Sequence, residues 1–419
     1  MPEGPVDLND VWRRETPHVV AAVWRRYGDF AASEDATQEA LLAAARQWPV
    51  EGAPDRPRAW LIQVAARRLV DARRADGARR ARELAEATAV GALTAPGADA
   101  ARDDRDDTLA MFLLCCHPAL RRPAQVALTL RAVAGLTTAQ IAAAHLLPEA
   151  TMGQRISRAK ATLAAAGATI TPPSPADLAA RIDAVVDVLT LVFNEGYATS
   201  GGDRLLDVSL TREALRLTRQ LHELVPAHDE VAGALALMLL TDARAPTRTD
   251  EHGDLVPLAE QDRTRWDAAA IAEGVALVER ILPRGPVGPH QLRAAIAAVH
   301  AEAPTYADTD WAQIRELYRM LDRLAPGPAV TLNRAVAEAM AGTPGDGLAL
   351  LAPLADDPAM RRHHRLFAVR AHLLELAGRA AEADADYAAA AALTRSAPEQ
   401  RYLHRRRARL GVAPAQDGG

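Results

Sequence analysis

A chain of 419 residues is long enough for two to four domains with sizeable cores. Apolar residues make up 49% of it and aromatics only 4%, alanine dominates and β-branched runs are scarce, so the expected fold is all-α. No apolar run reaches spanning length, the N-terminus MPEGPVDLND is acidic, and the adjacent Cys115 and Cys116 cannot form a disulfide framework, which argues against a membrane protein or an exported one.

Asn9 to Tyr27 reads as the first helix, with Val11, His18, Val19, Val23 and Trp24 near one face. Ser33 is the expected N-cap of the second, whose inward stripe is Ala36, Ala40, Leu41 and Ala44 and which is expected to stop before Trp48-Pro49. After a loop punctuated by three prolines and a glycine, Arg58 to Arg74 is the third helix. On it Leu61, Val64, Ala65 and Leu69 can pack inward, while Gln63, Arg67, Asp71 and Arg74 form an outward stripe at i+4 spacing. The Arg67–Asp71 and Asp71–Arg74 spacings also suit ordinary surface ion pairs. Residues 83–107 lack apolar periodicity, end in the charged run DAARDDRDD and read as a flexible linker.

Residues 108–167 are expected to be helical again, with breaks at Pro118, Pro123, Gly135 and Pro148. Their strongest signal is LTTAQIAAAHLLPEATMGQRISRAKATL, a helix-turn-helix pattern. Thr137 or Thr138 caps its first helix, and Pro148 suits the first position of the second, where its missing N–H costs nothing. On that second helix Met152, Ile156, Ala159 and Leu163 share one face, and Thr151, Gln154, Arg155 and Arg158 share the opposite one, as major-groove reading requires. Gly153 is a poor mid-helix choice, costing about 1 kcal/mol against alanine.

Net charge is −5, yet its distribution is uneven. Arg56 to Arg82 holds nine arginines against Asp71 and Asp76, and Thr108 to Ile170 holds six basic residues, including the sole lysine, Lys160, against Glu149. Past residue 170, 34 acidic residues face 27 basic ones. Two basic islands on an acidic chain suit a modular DNA binder. Trp48 and Trp60, flanking the Pro-rich loop ahead of the first island, suit an unstacked base.

The two islands, in this order, resemble the two conserved regions of extracytoplasmic-function sigma factors over residues 10–165. SEDATQEALLAAARQWP is similar to the start of region two, which implies that Glu34, Asp35, Gln38 and Glu39 contact the β′ clamp helices of RNA polymerase core. PVEGAPDRPRAWLIQVAARRLVDARR is similar to the melting and minus-ten part, with Asp71, Arg73 and Arg74 in the family's D-x-R-R, so Trp60, Gln63, Arg67, Asp71, Arg73 and Arg74 become DNA-binding candidates. The helix-turn-helix resembles region four, which reads the minus-thirty-five element beside the β flap and adds Thr151, Gln154, Arg155, Arg158 and Lys160. The implied division is region two at 1–80, a linker at 81–107, region four at 108–170 and a C-terminal helical domain at 171–419.

CCHPAL, RAVAGLTTAQIA, VLTLVFNEGYATSGG, QDRTRWD and LNRAVAEA resemble a subgroup whose long helical extension has tetratricopeptide character. Within the extension Gly378, Glu382, Ala383, Tyr387 and Ala390 follow that repeat's spacing, and VTLNRAVAEAMAGTPGDGLALLAPL is a looser copy. A protein partner for this domain is expected. Gly196 of NEGY is expected as a left-handed helix cap, with Asn194 or Glu195 in a buried polar contact. No HExxH, phosphate loop or nucleophile elbow appears, so neither catalytic residues, metal nor cofactor are assigned and the protein is expected to be cytoplasmic and not an enzyme. The alternatives are that the extension is an enzyme or ligand sensor fused to a DNA-binding regulator, or that the whole chain is a dimeric repressor.

Overall fold

A computed structural model describes residues 8–84, 108–144, 147–168, 175–199, 201–358 and 360–411. The linker expected at 81–107 is helical over 81–84, where the third helix runs past its expected end at Arg74 to Leu84; residues 85–107, and the turn residues His145 and Leu146, lie outside the described ones. Among the described residues the chain is helical, with isolated bridges at Gly202–Ser396 and Thr249–Leu255 and no strand. It divides into two compact units, residues 1–188 and 189–419.

In the first unit, α1 (Leu8–Tyr27), α2 (Phe30–Glu51) and α3 (Pro57–Leu84) share one core. Ala36, Ala40 and Ala44 give α2 a smooth face, against which Val19 and Val23 of α1 and Leu61, Ala65 and Leu69 of α3 pack. Trp48 closes the far end, edge-on to Trp60 at 5.4 Å. The N-cap of α2 is Asp29, which accepts from the Ala32 N–H at 3.0 Å, and not Ser33. Ser33 lies inside the first turn, where its hydroxyl donates to the Asp29 carbonyl and is buried. Nor does α2 stop before Pro49: the helix runs past it to Glu51 and ends where Gly52, at φ 85°, donates to the Trp48 carbonyl. Pro49 falls in the last turn, where the helix has only one more turn to lose.

Next come α4 (Thr108–Cys115), α5 (Arg122–Ala132), α6 (Thr138–Ala144), α7 (Glu149–Ala165) and the start of α8 (Pro175–Tyr197), whose residues from Leu189 on belong to the second unit. Met111, Leu114, Leu128, Leu130, Ile141, Met152 and Leu163 are buried among them. Gln125 donates to the carbonyls of Cys116 and His117, both at 3.2 Å, and so satisfies the chain end of α4. Cys115 and Cys116 are buried and free, and burial pushes the Cys116 thiol up to about 12. His117 uses its Nδ1 to accept from the Ala119 N–H at 3.2 Å, a local turn contact. Arg122 ties α5 to α8 by donating to the Ala184 carbonyl at 2.8 Å and pairing with Asp187.

In the second unit, α9 (Val208–Leu224), α10 (Asp229–Asp242), α11 (Ala268–Ile281), α12 (Pro289–Glu302), α13 (Trp311–Leu324), α14 (Pro328–Ala341), α15 (Pro344–Leu351), α16 (His364–Leu376), α17 (Ala380–Leu393) and α18 (Ala397–Leu410) pack largely on their chain neighbours. One core joins α10 to α12, the next α12 to α14, the next α14 to α16 and the last α16 to α18. Each core is thus handed on through a shared helix, so burial is built from local contacts. Gly378, at φ 72°, makes the turn into α17, and Ala383, Tyr387 and Ala390 are buried beyond it. The Tyr387 hydroxyl donates to Glu375 at 2.7 Å, while Glu382 stays on the surface, paired with Arg379.

Gly196 is not a left-handed cap. It lies within α8, and a Cβ there would sit 2.7 Å from Leu210 Cβ and from the Thr211 nitrogen, so its role is close approach of α8 and α9. Asn194 is exposed, and Glu195 is half-buried.

Glu230 joins α10 to α12. Its carboxylate accepts from the backbone N–H groups of His290 at 3.0 Å and Gln291 at 3.1 Å and lies 3.1 Å from His290 Nδ1. Burial opposes its charge, but the His290 side chain and these two backbone bonds outweigh that and hold the carboxyl below its ordinary value. A group depressed in the folded state stabilises above the unfolded carboxyl value of about 4.3 and loses that contribution as pH falls through the lower folded value. Glu230→Gln is therefore expected to weaken the start of α12 by about 1–2 kcal/mol at neutral pH. Amide exchange at His290 and Gln291 should quicken roughly tenfold there, and the difference from the parent chain should close in acid.

Candidate nucleic-acid and polymerase interfaces

The pair α6–α7 forms the helix-turn-helix. Pro148 stands as the N-cap residue, one place before the expected first position, and Glu149 opens α7. Met152, Ile156, Ala159 and Leu163 are buried under α7. Thr151, Gln154 and Arg158 are exposed on the other side and Arg155 is half-buried; Arg158 Nε leans back on the Gln154 carbonyl at 3.3 Å. Beside them runs a groove of about 490 Å³, lined by Thr151, Arg155, Arg158, Arg121 and Pro123 among others. The exposed Arg121, just ahead of α5, thereby joins the basic face. Sequence reasoning counted it in the basic island without singling it out, because only the fold brings the head of α5 beside α7.

Gly153 points toward α6, where an added Cβ would meet only the Thr138 methyl, at 3.9 Å. That is ordinary contact distance, so Gly153→Ala is expected to raise stability by about 0.5–1 kcal/mol, read in denaturant unfolding.

Lys160 does not share the outward face. It is buried, pairs with Glu34 and lies 2.7 Å from Asp35 Oδ1. Arg131 of α5 holds the second Glu34 oxygen at 2.8 Å. Three helices, α2, α5 and α7, therefore converge on one fully buried carboxylate, which is where sequence reasoning expected a polymerase contact. Asp35 and Glu39 are exposed on α2 and Gln38 is half-buried. Glu39 opens a groove of about 560 Å³ between α2 and α3, lined also by Leu42, Arg46, Gln47, Val50 and Arg68. Leu42 and Val50 are 57% and 84% exposed there, a degree that core packing does not account for.

On α3, Gln63, Arg67, Asp71 and Arg74 are exposed along one stripe, and Trp60 is half-buried against Trp48. Among the described residues no ion pair joins Asp71 to Arg67 or Arg74. Arg73 is turned aside: it donates to the Tyr27 carbonyl at 3.0 Å, with its guanidinium 5.6 Å from the Tyr27 ring. Among the described residues no helix is long and apolar enough to cross a membrane, and no group of three or more His, Cys, Asp or Glu side chains is arranged to hold a metal ion.

Three family models match the chain. "Sigma-70 region 2" covers residues 11–79 and "Sigma-70, region 4" covers residues 113–163. A "family of unknown function (DUF6596)" covers residues 181–282. An uncharacterized protein of Rhizobium meliloti is 39% identical over 415 residues, covering 98% of this chain and 97% of its own length. No solved structure matches.

Proposed function

The chain belongs to the sigma-70 family, as a sigma factor like those of the extracytoplasmic-function type with a C-terminal extension, and we propose from that premise how it selects and opens promoters. Region two and region four make RNA polymerase core and promoter DNA its partners in transcription initiation. In the proposed division of labour, the α2–α3 groove with Glu39, Asp35 and Gln38 receives the β′ clamp helices, and region four sits by the β flap. The α3 stripe of Gln63, Arg67, Asp71 and Arg74, with Trp60 and Arg73, handles the minus-ten element and a flipped base. Thr151, Gln154, Arg155 and Arg158 read the minus-thirty-five element in the major groove, and Arg121 adds a phosphate contact.

The observation that carries this reading is the pairing of an apolar stripe below α7 with a solvent-facing Thr/Gln/Arg stripe above it. Geometry adds a constraint. The two promoter elements lie about 25 base pairs apart, on the order of 85 Å at 3.4 Å per pair. In this reading, modules joined through Glu34, Lys160 and Arg131 must part to reach both at once. The packed arrangement is the resting form, and polymerase would separate the modules and expose Glu34. Lys160, which neutralises Glu34 at rest, would then be free for phosphate.

For the extension we propose a tetratricopeptide-like regulatory role through a protein partner, supported by cores handed from pair to pair. The test is transcription from genomic fragments with core polymerase, comparing the full chain with one truncated near Thr171. A chain that neither binds core nor starts transcription defeats the sigma reading; equal output with and without the extension defeats the regulatory one.

A further inference from the structure

Arg244 and Arg248 follow the end of α10, one turn apart, and Arg263 lies in the loop ahead of α11. The Arg248 guanidinium lies 4.0 Å from the Tyr197 ring centre, and that of Arg263 lies 4.6 Å from the Trp266 ring. Arg263 Nη1 is fixed by the carbonyls of His300, at 2.5 Å, and Ala303, at 2.7 Å. His300 packs edge-on to Trp311 at 5.1 Å. The charge of Arg244 reaches Arg248, Arg263 and His300 together.

None of the three arginines makes a salt bridge among the described residues. The surrounding arginines behave differently: Arg401 and Arg405 share Asp254, Arg406 takes Glu375 and Arg407 takes Asp384. The carboxylates within electrostatic reach are Glu399, for Arg248, and Asp308, for Arg263. Glu399 is engaged by Thr394 at 2.6 Å and His364 at 3.3 Å, and Asp308 by Thr305 at 2.7 Å. Three donor groups are left buried without a hydrogen-bond partner, Nε of Arg244, Nε of Arg248 and Nη2 of Arg263, and so is the Nδ1 ring nitrogen of His300. A buried donor left unmade costs free energy, and guanidiniums gathered with no carboxylate in direct contact repel.

We propose that Arg244, Arg248, Arg263 and His300 form a binding site for a phosphate-bearing small molecule in the C-terminal unit. A phosphate dianion supplies the missing charge, and its oxygens accept from planar guanidinium donors, the pairing that arginine suits best. A single carboxylate brings half that charge and leaves two of the three arginine charges unmatched, where the dianion leaves one. The aromatic walls of Tyr197 and Trp266 hold the guanidinium planes in place. Burial, then the charges of Arg244 and Arg263, lower the His300 imidazole to about 4, so near neutral pH the positive charge of the cluster is that of its arginines. The inference does not depend on the sigma-factor reading.

The experiment uses the full chain. Thermal unfolding and calorimetry are run with inorganic phosphate, glycerol phosphate, acetate and chloride at matched ionic strength. Phosphate and its ester are expected to raise the unfolding temperature saturably, while acetate and chloride do not. Arg244→Gln is expected to weaken phosphate binding by about tenfold or more, and to melt no lower than the parent chain without phosphate, because it removes repulsion. Arg248→Gln is the second variant, with the same expected loss of affinity. A response to the ester alone would mark an organic phosphate as the ligand, and equal responses would mark the phosphate group itself. No phosphate-specific shift in the parent chain, an equal shift with acetate, or an unchanged response in both variants would overturn the assignment.

Discussion

Glu34→Ala is expected to part the two N-terminal modules, shifting their packed arrangement toward an open one by more than about a hundredfold. The argument rests on the asymmetry of a buried ion pair. The Glu34 side chain is 0% exposed, and the Arg131 and Lys160 side chains that neutralise it are 14% and 9% exposed. Removing the carboxylate leaves two cations facing each other out of water, which costs about 3–5 kcal/mol. Asp35 still holds Lys160, but at 70% exposure it restores little. The penalty falls on the packed state alone, since both cations are hydrated once the modules separate. Lys160→Met keeps the Arg131–Glu34 pair and should open the modules less.

The readout is an inter-label distance between α7 and the loop after α2, using Asp55→Cys and Ala164→Cys, both at exposed positions. The native thiols are buried, and Cys116 is held far above the range in which a thiolate reacts, so the introduced pair takes the labels. An unchanged distance in Glu34→Ala would show that the buried pair does not hold α2 to α7. Core-polymerase binding separates two effects. If Glu34 also contacts polymerase, Glu34→Ala opens the chain yet binds core less well, whereas Lys160→Met opens it without that loss.

The same carboxylate marks the limit of what the sequence could tell. Helix periodicity is local, so α1, the inward stripe of α2 and the apolar face of α7 were all legible from spacing. The breaks at ARAPTRTDEHGD, LPRGPVGP, LAPGP and AGTPGDG, which part α10 from α11, α11 from α12, α13 from α14 and α14 from α15, were legible from their Pro and Gly residues. Boundaries that depend on competition were not. Asp29 and Ser33 are both good caps, and Gly28 at φ 74° decides for Asp29 by turning the chain one place earlier. Gly196 read as a cap because glycine signals both left-handed turns and close contacts, and only the position of α9 chooses between them. Glu34 looked like a surface residue because its partners Arg131 and Lys160 lie about a hundred positions away. The arginines around His300 come from separate segments, so no spacing rule gathers them.

Arg155→Ala and Arg158→Ala should each reduce transcription from a promoter with a minus-thirty-five element about tenfold to a hundredfold, without unfolding the chain. Both side chains reach solvent, and neither makes an ion pair among the described residues. The fold therefore loses little, and alanine is at least as good a helix former as arginine. DNA has more to lose. An arginine paired with a guanine edge is worth about 1–3 kcal/mol of discrimination, and one on a phosphate contributes through released counterions. The two roles separate on salt. Loss of a base contact relaxes sequence preference and leaves the salt slope alone, while loss of a phosphate contact, as expected for Arg121→Ala, weakens all sequences alike and flattens the slope by about one. Footprinting of the polymerase complex across a salt series, with parent and altered minus-thirty-five elements, makes the assignment. Output equal to that of the parent chain in Arg155→Ala and Arg158→Ala would remove the outward face of α7 as the reader, and with it the main physical reason for assigning promoter recognition to this helix.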